Sequence, residues 1–353
     1  MRTYILNSEN AKLVGRYTYD EDMVLWCAMS GSGAQFHFKG SKLSVTFVGD
    51  NSSERPEDHD NYARYAVYEN DTRIAEGILD KIKKTVEFER DIDADITVIK
   101  LSECAMSTLG IAPVECEGEI TPVPEKKLKA EFIGDSITCG YGVDDEIPEH
   151  NFCTSSEDCT KAYAYKTAKA LDADYSLFSI SGWGIISGYT EDDTAHTEQI
   201  LPRYYKKVGF SYEKFDDRDG FAPQDVNWDF KKYVPDIVVI NLGTNDSSYC
   251  HKKEDRSLEY AKKYTEFLHT VHECNPNAKI LCCLGLMDEC LYDYVEKAAA
   301  DFKAESGFDE VYTLRLSRQD EKYGYAVSWH PVEKNHEIAA REVTAKIKEI
   351  LAL

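Results

Sequence analysis

Four short blocks of this chain carry residue types that could act together on a carbonyl carbon. They are Ser136 in Gly-Asp-Ser, Gly182 in Ser-Gly-Trp-Gly, Asn245 in Gly-Thr-Asn-Asp and His330 in Trp-His-Pro. A serine hydroxyl becomes an effective nucleophile when a base removes its proton, and histidine suits this task near neutral pH. Backbone N–H groups and an asparagine amide could stabilise the resulting oxyanion. Each block alone is more typical of a turn or a helix N-cap, so the prediction depends on the set.

Three of these residues follow apolar runs that are typical of buried strands. Ser136, Gly182 and Asn245 each come just after such a run. Because the carboxyl ends of parallel strands meet at one edge of an open α/β sheet, the three residues should lie in one crevice. His330 precedes the last predicted helix and can reach the same edge.

Strands and helices alternate through the second part of the chain, which predicts a mostly parallel sheet between two helix layers. After the run that ends at Gly134, the predicted elements are a helix at 161–171, strands at 175–181 and 236–242, a helix at 257–274, a strand at 279–284, a helix at 291–303, a strand at 310–316 and a helix at 332–351. The fold class is therefore a three-layer α/β/α domain. A long connection at 188–233 has no clear period, and it could be an active-site wall or a structural insertion.

The first part of the chain is rich in alternating runs without helical periods between them. They predict antiparallel strands at 35–38, 42–48, 62–69, 85–89 and 95–101. Such a series favours an all-β sandwich of jelly-roll type. A linker with two prolines, 122–127, separates this predicted domain, 1–121, from the α/β domain, 128–353.

The composition of the 353 residues disfavours several classes of function. A net charge of -23 argues against nucleic acid and membrane surfaces as partners and fits a neutral substrate. No apolar run approaches the length of a membrane span, and the first residues lack the pattern of a secretory signal. Eleven cysteines without a C-x-x-C pair predict reduced thiols, a cytoplasmic location and no metal site. Homo-oligomer formation is left open by the sequence.

The blocks GDSITCGYG, SGWG, GTND and WHP together resemble the SGNH (GDSL-type) hydrolases. The resemblance implies a flavodoxin-like parallel sheet, with Ser136 as the nucleophile and His330 as general base and acid. It also implies an oxyanion hole formed by Ser136, Gly182 and Asn245. Whether Gly182 or Gly184 supplies the backbone donor is left open.

The β-rich first part and the WHP block further resemble carbohydrate esterase family two, whose members join a jelly-roll domain to an SGNH domain. This resemblance implies a serine esterase that removes O-acetyl groups from xylan-derived oligosaccharides through an acetyl-enzyme on Ser136. No metal or organic cofactor is implied. The alternatives are a lipolytic esterase or thioesterase on the same fold, and a carbohydrate-binding protein without catalysis.

One position departs from the pattern of many SGNH enzymes, which have an aspartate three residues before the histidine. This chain has Val327 there. Members of the esterase family orient the imidazole with a main-chain carbonyl, so the resemblance predicts a carbonyl acceptor within 327–329. A remote acid from the 188–233 connection is the alternative.

Residues beside the four blocks have two readings each. Trp329 and Trp183 could form an apolar platform for a sugar ring or an acetyl methyl group, or they could fill the core. Asp135 and Asp246 are expected to cap turns rather than to react. Cys139 is expected to be a buried small residue, because no base is spaced to activate it.

Overall fold

The computed structural model gives the structure of residues 1–215 and 221–353, and their contacts divide them into two units. The first unit comprises Met1–Lys126, Phe152–Cys159 and Lys206–Trp228, and the second comprises Lys127–Asn151, Thr160–Tyr205 and Asp229–Leu353. The change of unit after Lys126 falls within the predicted linker. Two later segments, 152–159 and 206–228, group with the first unit, although the sequence analysis assigned them to the α/β domain.

Ten strands form one antiparallel sheet in the described part of the first unit. They are β1 (Arg2–Tyr4), β2 (Lys12–Val14), β3 (Tyr17–Tyr19), β4 (Leu25–Cys27), β5 (Gly33–Gly49), β6 (Arg64–Glu69), β7 (Thr72–Ile78), β8 (Lys83–Lys100), β9 (Leu109–Ile111) and β10 (Val114–Pro122). The main order is β3-β4-β9-β5-β8-β6-β7, while β10 pairs with β1 and β5, and β2 pairs with β5. The β-rich character predicted for this part is confirmed, and its assignment to a jelly roll stays a prediction.

Strands β5 and β8 are longer than the sequence analysis predicted. They have 17 and 18 residues: β5 contains two of the shorter predicted strands, and β8 contains one and all but the last residue of another. Their antiparallel pairing is continuous except for a register shift between Gly40 and Lys42. A Cβ atom at Gly40 would lie 2.2 Å from the carbonyl oxygen of Glu117, so only glycine allows this approach. The glycine marks a bulge within one strand, which the sequence analysis took for a turn between two strands.

The same bulge explains the pattern of buried side chains along β5. The β5 side chains in the hydrophobic core are even-numbered before the bulge and odd-numbered after it, as at Phe36, Phe38, Leu43, Val45 and Phe47. Since alternate residues of a strand point to opposite faces, one inserted residue keeps the apolar side chains on one face. The ring of Phe47 stacks on Tyr65 with centroids 4.0 Å apart.

Five parallel strands and six helices form the described part of the second unit. The strands are β11 (Leu128–Gly134), β12 (Ala173–Ser179), β13 (Ile237–Asn241), β14 (Lys279–Leu286) and β15 (Val311–Arg318). The helices are α1 (Ser136–Cys139), α2 (Tyr163–Ala170), α3 (Thr244–Cys250), α4 (Glu254–Cys274), α5 (Tyr292–Ser306) and α6 (Glu333–Leu351). Helix α2 packs against α6 and helix α4 against α5, so helices cover the sheet in two layers. The predicted α/β/α class is confirmed.

The strand order β12-β11-β13-β14-β15 reverses direction at β11, the first strand of this sheet in the chain and the neighbour of the edge strand β12. In chain order this is 2-1-3-4-5, the flavodoxin-like arrangement, in which ligands bind outside the carboxyl ends of the strands at the switch point. Every residue of β13 is buried, as expected for a strand covered on both faces. The chain leaves β11, β12 and β13 at this edge just before Ser136, Gly182 and Asn245.

The 188–233 connection is irregular where it is described, and residues 216–220 within it lie outside the described residues. It contains short 3₁₀ turns at Leu201–Tyr204, Pro223–Asp225 and Phe230–Lys232. Its role as a wall or an insertion stays a prediction. Among the helices of residues 1–215 and 221–353, none is both long and apolar enough to cross a membrane.

Candidate active site

Ser136 lies at the sharp exit from strand β11. The side chain of Asp135 accepts a hydrogen bond from the N–H of Ile137 at 3.0 Å, which caps the one-turn helix α1 that begins at Ser136. A Cβ atom on Gly134 would lie 2.0 Å from Oγ1 of Thr138, so this tight turn requires glycine. The strand and the cap therefore hold the serine hydroxyl at the carboxyl edge of the sheet.

The imidazole of His330 contacts this hydroxyl directly. Its Nε2 lies 2.8 Å from Oγ of Ser136, and its Nδ1 lies 3.1 Å from the carbonyl oxygen of Val327 and 3.2 Å from that of Ser328. Carbonyl oxygens only accept hydrogen bonds, so Nδ1 must carry the proton. The neutral ring then presents an unprotonated Nε2 to the serine O–H, which is the geometry of a general base.

The two carbonyls converge on Nδ1 because the chain folds back on itself just before His330. Ser328 and Trp329 have φ angles of 53° and 59°, in the left-handed region that non-glycine residues rarely adopt. The N–H of Ala326 donates to the carbonyl of His330 at 2.9 Å and closes the turn. In the described part of the chain no carboxylate hydrogen-bonds to the imidazole, and the carbonyls occupy the place that an aspartate would take.

Burial sets the charge of the ring. It lowers the pKa of His330 to about 4, and the hydrogen bonds to Val327 and Ser328 oppose this shift only in part. The ring of Tyr141 packs on the imidazole with centroids 4.3 Å apart. His330 is therefore neutral near pH 7. The sequence analysis did not identify Tyr141 as a site residue. The only feature of the sequence that points to Tyr141 is its position five residues after Ser136.

The predicted oxyanion hole includes two backbone donors, the N–H groups of Ser136 and Gly182. Among the described residues, the N–H groups of Ser136 and Gly182 have no hydrogen-bond acceptor. Gly182 has a φ of +79°, and a Cβ atom there would meet nothing within 4 Å. The N–H of Gly184 instead donates to the carbonyl of Gln199 at 3.2 Å. Of the two candidate glycines, Gly182 is the one whose amide is available.

Asn245 lies at the start of helix α3, with its side-chain amide directed at neighbouring loops. Its Nδ2 donates to the carbonyl of Trp183 at 2.8 Å and lies 3.3 Å from Oδ2 of Asp135. The first contact joins α3 to the loop after β12. The second contact joins α3 to Asp135, the residue that caps α1.

The carboxylates of Asp135 and Asp246 hold loops in place. Asp246 accepts hydrogen bonds from the N–H groups of Ile185, Ile186 and Ser187 at 2.7–3.2 Å. Burial raises the pKa of Asp246 to about 6 and that of Asp135 to about 7. Asp135 thus caps its own turn, as the sequence analysis expected, whereas Asp246 holds the loop after β12 and not the turn in which it lies.

The two tryptophans differ in exposure. Trp329 is 52% exposed beside His330, as a platform for a substrate would require. Trp183 is only 2% exposed and packs edge-to-face on Tyr204, with centroids 5.3 Å apart. The proposed platform role of Trp183 is therefore corrected to core packing. Cys139 is fully buried, and its thiol donates to Oγ of Ser179 at 3.2 Å.

A second histidine lies outside the reaction centre. His336 is 1% exposed in helix α6, and its Nδ1 accepts the N–H of Tyr163 at 3.2 Å. Burial lowers its pKa to about 3, so it stays neutral. Within residues 1–215 and 221–353, no group of three or more His, Cys, Asp or Glu side chains is arranged to hold a metal ion.

Comparisons with known proteins agree with this geometry. The chain is 30% identical over 348 residues to the Cellulase/esterase CelE of Acetivibrio thermocellus, covering 96% of this chain and 39% of that protein. It is 29% identical over 235 residues to an Acetylxylan esterase / glucomannan deacetylase of Cellvibrio japonicus, covering 65% of this chain and 58% of that protein. The chain thus spans less than two thirds of the length of these relatives.

Two solved structures share the fold over nearly the whole chain. A family two carbohydrate esterase from Clostridium thermocellum, in complex with cellohexaose, superposes with a TM-score of 0.81 at 26% identity and covers 97% of this chain and 99% of its own. The acetyl xylan esterase Est2A of Butyrivibrio proteoclasticus gives a TM-score of 0.87 at 24% identity over 98% of this chain and 96% of its own. At 24% identity, the similarity to Est2A shows the fold alone.

A family model matches the part of the chain that carries three of the four blocks and most of the parallel sheet. Residues 132–307 fit the GDSL-like Lipase/Acylhydrolase family. Ser136 and Asn245, together with Gly182, lie inside that range, and His330 reaches them from beyond it. With this match, the flavodoxin-like sheet and the Ser136–His330 contact, the chain contains a GDSL-type (SGNH) lipase/acylhydrolase domain.

Proposed function

We propose that this protein is a serine esterase that removes O-acetyl groups from acetylated carbohydrate. One observation carries the proposal: Nε2 of His330 lies 2.8 Å from Oγ of Ser136, while Nδ1 is held by two carbonyl oxygens. Nucleophile and base within hydrogen-bond reach, with the base oriented by a third group, are the signature of covalent acyl transfer.

In the first half of the reaction His330 takes the proton of Ser136 as Oγ attacks the acetyl carbonyl carbon. The N–H groups of Ser136 and Gly182 and the amide of Asn245 stabilise the oxyanion. The tetrahedral species collapses, the C–O bond to the sugar breaks, and His330 returns the proton to the sugar oxygen. An acetyl ester on Ser136 and a free sugar hydroxyl result.

In the second half water replaces the sugar. His330 takes a proton from water, the hydroxide oxygen attacks the acetyl-enzyme, and the same donors hold the second oxyanion. Collapse releases acetate and returns the proton to Oγ of Ser136. Both halves use the one imidazole, so its orientation controls the whole turnover.

The substrate class follows from the relatives and from the surface beside the base. Two relatives bear names that include acetylxylan esterase and glucomannan deacetylase, and a solved neighbour holds cellohexaose. The exposed ring of Trp329 lies next to His330 and offers a face for a sugar. A net charge of -23 also favours a neutral substrate. We therefore assign acetylated xylan-derived oligosaccharides as the substrate.

Acetate release from acetylated xylo-oligosaccharides and from an aryl acetate tests the proposal. Ser136→Ala and His330→Ala should each lower kcat by at least about a thousandfold on both substrates, because the two groups act as a unit. Ser155→Ala, at an exposed position, and His269→Ala, at a half-exposed one, remove side chains that take no part in these contacts, so both are controls and should keep parent activity.

The outcomes separate mechanism from substrate. Turnover of the aryl acetate without turnover of the oligosaccharides would retain the serine mechanism and reject the substrate. Full activity in Ser136→Ala would reject both. Binding of xylo-oligosaccharides by calorimetry without release of acetate would replace the proposal by a carbohydrate-binding function.

A lipolytic enzyme or thioesterase on the same fold is separated by acyl length. Aryl esters of acetate, butyrate and octanoate, together with an acetyl thioester, should show the highest kcat/KM for the acetate ester. If the site fits an acetyl group, the added methylenes of a longer acyl chain find no matching pocket. The value of kcat/KM for the acetate ester should therefore exceed that for the octanoate ester by about tenfold or more. Equal or higher kcat/KM on octanoate would support the lipolytic reading.

We also propose that the protein works in a reducing compartment such as the cytoplasm. All eleven of its cysteines are free thiols, and most are buried among apolar side chains. This supports a chain that folds without disulfides.

A further inference from the structure

The orientation of His330 depends on a backbone turn that is costly to form by itself. Its two acceptors are the carbonyl oxygens of Val327 and Ser328, at 3.1 and 3.2 Å from Nδ1. Both aim at Nδ1 only because Ser328 and Trp329 adopt left-handed φ angles. Non-glycine residues keep such a conformation only where surrounding contacts enforce it. Something outside the turn must therefore hold it.

Two main-chain contacts to this turn come from residues 141–150, which we call the supporting loop, and a further one comes from Nε2 of Gln319, which donates to the carbonyl of Trp329 at 2.9 Å. The N–H of Val327 donates to the carbonyl of Asp145 at 3.1 Å, and the N–H of Ser328 donates to the carbonyl of Pro148 at 2.9 Å. The supporting loop thus takes the amides of the same two residues whose carbonyls orient the imidazole. The N–H of Ser328 and the carbonyl of Val327 belong to one peptide group, so its bond to Pro148 on one side fixes the direction of the carbonyl that faces His330 on the other. The N–H of Val327 anchors the preceding peptide group.

Two further residues of the supporting loop pack against the same structure. Gly142 approaches Val327 so closely that a Cβ atom would lie 2.6 Å from the Cβ of the valine, and its φ of +64° suits glycine. The ring of Tyr141 lies over the imidazole of His330 at a centroid distance of 4.3 Å. The supporting loop therefore contacts both the turn that supplies the two carbonyl acceptors and the base itself.

A side-chain pair gives the supporting loop its own shape. Oδ1 of Asp145 accepts the N–H of Ile147 at 3.2 Å, and Oδ2 accepts the Nδ1–H of His150 at 2.8 Å. The main chain adds turns between Asp145 and Gly142 and between His150 and Ile147, at 2.9 and 3.1 Å. The pair ties the two ends of the segment that presents the carbonyls of Asp145 and Pro148.

We propose that the supporting loop does for His330 what a triad aspartate does elsewhere, and that Asp145 and His150 are positioning residues for the reaction. They touch neither the serine nor the imidazole. The Asp145–His150 pair holds the carbonyls of Asp145 and Pro148 in place. These carbonyls accept the N–H groups of Val327 and Ser328 and so hold the turn. The turn's own carbonyls then fix the tautomer and direction of the His330 imidazole. The inference rests on the proposed role of His330 as base and adds to it the group that orients the base.

The alternative is that the supporting loop serves substrate contact, because Ile147 on it is 46% exposed. The two readings differ in kinetics. A positioning role lowers kcat, since proton transfer in both half-reactions uses His330, and leaves KM nearly unchanged. A contact role raises KM and spares the reaction of a small aryl acetate.

The test compares kcat and KM on an aryl acetate for four variants. Asp145→Ala and His150→Ala should lower kcat about tenfold or more, in line with the cost of slight misplacement of a catalytic group, with KM within about twofold of the parent. Asp145→Asn keeps an acceptor for Ile147 and a partner for His150, so it should restore most of the activity. Asp144→Ala removes the neighbouring carboxylate, which pairs with Lys161, and should behave as the parent.

A second measurement observes the tautomer of the His330 imidazole directly and does not depend on catalytic turnover. With ¹⁵N-labelled histidine, NMR should show His330 of the parent and of Asp144→Ala as the Nδ1–H tautomer, identified by its absence from the spectrum of His330→Gln. Asp145→Ala and His150→Ala should show a mixture of tautomers. Should Asp145→Ala fail to fold, the His150→Ala variant carries the test, since its side chain is half exposed.

The proposal is overturned if both alanine variants keep the parent kcat, if only KM changes, or if the His330 tautomer is unaltered. Failure of the proposed function looks different. A Ser136→Ala protein that keeps its activity, together with a tautomer that still depends on Asp145, would retain the supporting loop as the element that orients His330 and reject the reaction assigned to it.

Discussion

The imidazole of His330 faces two carbonyl dipoles where many serine hydrolases place a carboxylate. A carboxylate stabilises an imidazolium ion more strongly than a carbonyl does, because a full charge then lies at hydrogen-bond distance. With burial acting against the protonated ring, the pKa of His330 falls to about 4. The ring is a weaker base than a free histidine, yet it is fully neutral at every physiological pH.

This pKa predicts the pH dependence of the reaction. The value of kcat/KM on an aryl acetate should rise with pH around pH 4 and stay level from about pH 5.5 upwards, because only the neutral ring can accept the serine proton. A histidine with its ordinary pKa of about 6.5 would place the same rise near neutral pH. A pH–rate profile from about pH 3.5 to 8 decides between them.

The stability of the fold must be followed over the same range. The pKa of His330 is lower in the folded state than in the unfolded chain, so the unfolded chain binds the proton more readily. The contribution of His330 to stability is therefore complete above about pH 6.5 and decreases as pH falls towards about 4. Circular dichroism at each pH separates unfolding from protonation of the base. A rise centred near pH 6.5 in protein that stays folded would contradict the prediction.

Among the elements, those with a long apolar period could be predicted from the sequence. Helices α4, α5 and α6 begin and end within three residues of their predicted positions, as do strands β12 and β13. Helices α1 and α3 were missed because, with four and seven residues, they are too short to show a period. Both helices directly follow strands that lead to the site, so hydrophobic periodicity could not predict the helices nearest the reactive residues.

The site was less predictable than the sheet that carries it. The types of Ser136, Asn245 and His330 and their places after strands sufficed to bring them together. Contacts between residues far apart in the chain left no such signal, as with the supporting loop under the turn at Ser328. Burial of Trp183 was equally hidden, because it depends on Tyr204 packing over it.

One prediction concerns the joint between helix α3 and the loop that carries Gly182. Asp246→Ala would leave the buried N–H groups of Ile185, Ile186 and Ser187 without their acceptor. Unpaired buried groups cost about 1–3 kcal/mol each before relaxation, so the free energy of unfolding should fall by about 2–4 kcal/mol. Urea unfolding measures this change.

The same variant should also lose activity in protein that remains folded. Gly182 is two residues from Gly184, whose Cβ position lies 2.6 Å from Oδ2 of Asp246, so the carboxylate fixes the path of this loop. Loss of one oxyanion donor typically lowers kcat about a hundred- to a thousandfold. Asp193→Ala, which removes an exposed carboxylate paired with Lys253 and Arg256, is the control and should change neither quantity much. Parent kcat in folded Asp246→Ala would contradict the link between the two elements.

Across the whole molecule, cysteine serves as a small apolar residue. Eight of the eleven thiols are buried, at Cys27, Cys104, Cys116, Cys139, Cys159, Cys250, Cys282 and Cys283. Burial raises the pKa of Cys27 and Cys282 to about 12, so no thiolate forms there near neutral pH. Both units contain such thiols, and neither unit uses them for a disulfide among its described residues.

This distribution predicts the reactivity of the folded protein towards a chromogenic disulfide reagent. Cys290 is the exposed thiol and should react first, followed slowly by the half-buried Cys153 and Cys274. Partial burial and the neighbouring Asp288 raise the pKa of Cys290, so its rate should increase with pH above neutrality as the thiolate forms. Cys290→Ser should remove the fast phase alone. In urea all eleven thiols should react, and a smaller number in protein purified without reductant would contradict the assignment to a reducing compartment.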